Sequence, residues 1–152
     1  MADKKLASLL EILSLDNKSK LASTVSAEPK VLASLCAKLA EDVALTGKTD
    51  ESKIVFALNS FKTLADECMT AAQGYLVAAL PVCLTAAGHA KSKNVRAAGE
   101  ATVTSICTKM TATCTKESLD HLFIASAIGN AWQTRVLALN MVALFSTNAP
   151  EE

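Results

Sequence analysis

Gly74–Ile106, GYLVAALPVCLTAAGHAKSKNVRAAGEATVTSI, joins one apolar helical stretch to another across Gly88. Leu76, Leu80, Cys83, Leu84 and Ala87 share a face before the glycine, and Val95, Ala98, Thr102, Val103, Ile106 and Met110 share one after it. A glycine there is expected to close the first helix in the left-handed conformation and let the chain turn back. The unit so defined is a helix, a turn and a helix.

The same punctuation recurs on both sides. Gly47, Gly88 and Gly129 are spaced 41 residues apart, and each follows an apolar stretch. Before Gly47, the stretch carries Leu32, Leu35, Cys36, Leu39 and Val43 on one face, with Pro29 in the first turn and Ser26 as its cap. Before Gly129, the face comprises Leu119, Leu122, Phe123, Ala127 and Ile128. These are read as three equivalent second helices. First helices are expected over residues 51–68, with Ile54, Leu58, Phe61, Leu64 and Cys68 inward and Asp50 as cap, and over residues 94–110. A last first helix follows Gly129 with Trp132, Val136, Leu139, Val142 and Ala143 as its apolar face.

Two helices per unit at this period predict an all-α, HEAT-like α-solenoid of antiparallel helix pairs, about three and a half repeats long. The expected organisation is one segment, 1–152. Within it are cap helices over 1–25, units over 26–47, 50–88 and 93–129, and the first helix of an incomplete repeat over 131–146. Pro81 either kinks the second helix of the middle unit or marks its true start after an irregular turn. The final helix ends without a partner helix, so the sequence reads as the amino-terminal piece of a longer protein, and self-association through that end stays open.

Composition narrows the function classes. Fifteen basic and fifteen acidic residues cancel, so no whole-chain field points to nucleic acid or membrane. No uninterrupted apolar run has the length of a bilayer span. Five cysteines without a CxxC pair, set among aliphatic residues, fit buried thiols in a reducing, cytoplasmic setting.

Specific motifs are weak. Gly47-Lys48-Thr49 matches the tail of a phosphate-binding loop, but Asp42 stands where the loop needs glycine and a helix precedes it where a strand should. His89 and His121 lack zinc-ligand spacing with any cysteine, and no residue pattern marks a catalytic dyad. No cofactor, metal or catalytic residue is expected. Lys91, Lys93 and Arg96, with Lys48, Lys53 and Arg135 at equivalent turns, would line one edge of stacked repeats and could neutralise RNA phosphates. The plainer reading is a solvated turn in which Arg96 and Arg135 make contacts inside the repeat. Trp132 and Tyr75 are assigned to the core.

Gly74–Ile106, together with NAWQTRVLALNMVALF at residues 130–145, resembles the amino-terminal HEAT domain of fungal-type translation elongation factor three. The Trp132-Gln133 pair followed by Arg135 is the most distinctive element. The resemblance covers residues 28 to 146 and departs from the common HEAT pattern at Ala90, where aspartate is frequent. It implies a helical segment of a ribosome-associated ATPase, contacting rRNA phosphates and ribosomal proteins, with the nucleotide cassettes elsewhere. A related helical region occurs in the large activator of a translation-stress kinase. The alternative function is a generic protein-binding HEAT adaptor unrelated to translation.

Overall fold

A computed structural model describes residues 2–47 and 49–148. Among the described residues seven helices follow one another: α1 (Ala2–Ser14), α2 (Lys18–Ala27), α3 (Pro29–Val43), α4 (Glu51–Ala87), α5 (Lys93–Lys109), α6 (Thr115–Ala125) and α7 (Trp132–Asn148). A single 3-10 turn, Ala112–Cys114, leads into α6. No strand occurs among the described residues.

The 37-residue span of α4 is two helices in space. Cys68, with φ −133° and ψ 25°, breaks it where the sequence ends the first helix. Contacts with α5 give the direction of each arm. Glu51 bonds Asn94, Thr102 lies 2.9 Å from the Leu58 carbonyl, and Asp66 pairs with Lys109 at 3.2 Å, so arm 51–67 runs parallel to α5. Gly99 packs on Ala86 and Ala87 while Thr111 bonds Gln73 at 2.9 Å, so arm 69–87 runs antiparallel to it. The arms therefore form an antiparallel hairpin, the unit expected of a HEAT repeat. By length and composition α4 would qualify as a membrane span, but it doubles back at Cys68 and 44% of its most apolar window is buried inside the protein.

The fold is thus the expected all-α solenoid. The faces read on α3, on both arms of α4 and on α5 are the buried ones: Leu32, Leu39, Phe61, Leu80, Cys83 and Ile106 are each at most 5% exposed. Pro81 lies within the second arm with helical backbone on both sides, and the break is thirteen residues earlier.

Several local readings need correction. Among the described residues no glycine has positive φ; the left-handed position belongs to Asp16, between α1 and α2. Gly88, at φ −98°, is small for a different reason: a Cβ there would collide with Thr134 and with Ala131 on the approach to α7. Ser26 lies in the last turn of α2 and Glu28 precedes Pro29 without a capping bond. Asp50 turns its carboxylate back to the Gly47 N–H at 3.0 Å and caps the loop, not the helix.

The largest departure is at the carboxy-terminal end. Helix α6 stops at Ala125, leaving Phe123, Ala127 and Ile128 exposed, and α7 buries Thr134, Leu137, Ala138 and Met141. Of the face read as inward, Trp132, Val136, Leu139 and Ala143 point outward, with Trp132 66% exposed, and Val142 alone is half-buried against the core. Helix α7 is apolar almost all round, so periodicity could not choose between two faces. Thr134 decides it, because its hydroxyl reaches the Leu84 carbonyl at 2.8 Å. Tyr75 is also more open than expected, at 38%.

Candidate partner-binding edge

The turns that follow second helices all lie at one end of the solenoid. The turn from α3 to α4 faces the turn from α4 to α5 across a groove lined by Gly47 and Glu51 on one side and by His89 and Lys91 on the other. The next turn, from α6 to α7, touches Gly88 through Ala131 and Thr134. Successive turns thus share one edge.

The middle turn is held by a closed set of bonds. Ser92 caps α5 by accepting the Val95 N–H at 3.1 Å, and its own N–H donates to His89 Nδ1 at 3.0 Å. Arg96 Nη1 donates to the His89 carbonyl at 2.7 Å. Asn94 Nδ2 donates to Glu51 Oε1 at 2.9 Å and ties the start of α5 to the start of α4. The Asn94 bond first, then the nearby Ser92 hydroxyl and His89, hold the exposed Glu51 carboxyl below its usual range, against the effect of burial.

The six basic residues separate into groups. Lys53, Lys91 and Lys93 are exposed and make no ion pair among the described residues. Arg96 is half-buried and pins the turn from inside, which is the plainer of its two sequence readings. Arg135 is half-buried too, and its Nε is enclosed without a hydrogen-bond partner. Lys48 lies outside the described residues.

Residues 10–152 match the family model described as EF3 N-terminal HEAT repeat. The chain belongs to this family. No curated protein and no solved structure gives a match.

In this EF3 N-terminal HEAT repeat the thiols are packing groups. Burial pushes Cys36 and Cys107 up to about 12, and Cys83, buried and beside Cys107, also to about 12. A thiol so protonated is a poor nucleophile and a poor metal ligand. Among the described residues no three His, Cys, Asp or Glu side chains converge as a metal site would require. The sequence reading missed the Glu51–Asn94 bond and the His89–Ser92 cap. Their spacing of 43 residues, close to the repeat period, was the available signal for the first.

Proposed function

We propose that this chain is a non-catalytic scaffold that docks on the ribosome in the cytoplasm. The turn edge carrying Lys53, Lys91 and Lys93 is its contact with rRNA phosphates and ribosomal-protein surfaces. Membership of the EF3 N-terminal HEAT family over residues 10–152 is the observation that carries this reading. The exposed, unpaired lysines supply the chemistry: mobile ammonium groups on a rigid edge neutralise phosphates by charge and shape without reading sequence. Arg96 supports that edge from within through its bond to the His89 carbonyl and is assigned a positioning role.

Co-sedimentation with purified ribosomes at two salt concentrations tests the proposal. Association should weaken as salt rises, and replacing Lys53, Lys91 and Lys93 by Glu should flatten the salt dependence by about 0.7 to 0.9 in log-log slope for each phosphate no longer neutralised. Salt-insensitive association, or association unchanged in the triple variant, would overturn it.

A further inference from the structure

The groove between the first two turns has a volume of about 570 Å³, within the range that accepts a compact ligand or two large side chains. Its walls come from three places in the chain: the end of α3 with the loop behind it, the start of α4, and the end of α4 with the turn that follows. Val43, Ile54, Pro81 and Val82 make its apolar side. Neither arm of α4 nor the neighbouring helices fill it.

The rim is polar, and most of its groups are already engaged. The Asp42, Thr85 and Ala86 carbonyls at the two helix ends accept from the Leu45, Gly88 and His89 N–H groups. The Gly47 N–H is taken by Asp50, and the Glu51 carboxylate is held by Asn94. His89 Nδ1 accepts from Ser92. Among the described residues Lys91 is the lysine that lines the groove, exposed and without an ion pair. An occupant is therefore favoured by an apolar body and by a carboxylate set beside it.

From this juxtaposition we infer that the groove is a docking site for a short extended segment of a protein partner, which seats one or two large apolar side chains against Pro81 and Val82 and pairs an adjacent Asp or Glu with Lys91. Burial of the anchor supplies affinity, and the lysine selects the acidic version of the motif. The site shares Lys91 with the proposed rRNA contact but differs from it in needing the cavity, whereas phosphate binding needs only the lysine edge.

Fluorescence anisotropy of the full chain with three labelled peptides tests the assignment: one with a Glu-Leu-Phe-Asp core, one with Lys-Leu-Phe-Lys and one with Glu-Ser-Ser-Asp. The first should bind saturably and the other two at least about tenfold more weakly. Ala90→Trp and Thr46→Trp fill the groove from opposite exposed rims, and each should weaken the first peptide by about tenfold or more, as should Lys91→Glu. Lys93→Glu should leave peptide binding unchanged while reducing ribosome co-sedimentation, which separates the two sites. Circular dichroism of each variant confirms the fold. No saturable binding, preference for the basic peptide, or binding untouched by both tryptophan variants would overturn the inference.

Discussion

The Thr134 hydroxyl of α7 donates to the Leu84 carbonyl of α4 at 2.8 Å, across 50 residues of chain. The Gly88 N–H folds back to Thr85 instead of continuing the helical ladder to Leu84, and the threonine occupies the carbonyl left over. Removing the hydroxyl while keeping the shape, by Thr134→Val, leaves a buried acceptor unpaired and should cost about 1 to 3 kcal/mol. Urea unfolding followed by circular dichroism reads this directly. A midpoint equal to that of the parent would show that the bond does not hold α7 in place.

Gly88 and Gly99 are small because another segment crosses them, whereas Gly74 is not crowded. A Cβ on Gly99 would lie 2.7 Å from the Ala87 nitrogen, a backbone atom that cannot rotate away. Gly99→Ala should therefore destabilise by about 1 to 3 kcal/mol. Gly74 sits inside α4 with open space where its side chain would be, so Gly74→Ala should stabilise by about 0.5 to 1 kcal/mol. Opposite shifts in thermal midpoint are expected.

Asp66 sits near the Cys68 bend, at the edge opposite the turns, between Lys62 at 2.9 Å and Lys109 at 3.2 Å. Burial works against its charge, but the bonds and charges of the two lysines outweigh burial and hold its pKa below the ordinary value. A depressed carboxyl stabilises the fold above its unfolded pKa, and that contribution disappears as pH falls through the folded value. Asp66→Asn should lower stability at neutral pH by roughly 1 kcal/mol and make the acid limb below about pH 4 shallower. Unfolding curves at several acid pH values give both quantities.

The buried thiols act at the opposite end of the pH scale. With Cys36, Cys83 and Cys107 raised to about 12, each favours the fold below the ordinary thiol value and loses that contribution as pH rises toward 12. Stability should fall above about pH 9, and iodoacetamide should label these three cysteines in step with unfolding. Fast labelling of Cys83 in the native protein at neutral pH would contradict its enclosure.

Trp132, the one tryptophan, provides an optical check on the outward face of α7. At 66% exposure it should emit close to tryptophan in water before unfolding as well as after it, and Trp132→Gln should change stability by about 0.5 kcal/mol or less. A blue-shifted native spectrum would place the ring in an apolar contact.

How much could be read in advance depended on how sharply each helix was patterned. In arms 51–67 and 69–87 and in helices α3 and α5 the large apolar residues recur on one face, so Leu39, Phe61, Leu80 and Ile106 could be placed inside from spacing alone. Helix α7 offers apolar residues on both sides, and its orientation rests on Thr134 meeting a carbonyl 50 residues away, which no local pattern encodes. The glycine period correctly located the turns, but the left-handed mechanism behind it was wrong; Gly88 is required by close approach. At the candidate edge the lysines were visible as charges. That Arg96 is committed to the His89 carbonyl and Glu51 to Asn94 emerges only once successive turns are side by side.

The hairpin at Cys68 is also expected to set the order in which the molecule is assembled. Its two arms are joined by one non-helical residue, so they meet with almost no loop to close, and between them they touch α2, α3, α5, α6 and α7. A nucleus forming there would recruit its neighbours outward in both directions, as expected of a one-dimensional stack of units. Opening should reach residues 51–87 last, so amide exchange in the hairpin should report the global unfolding of the segment.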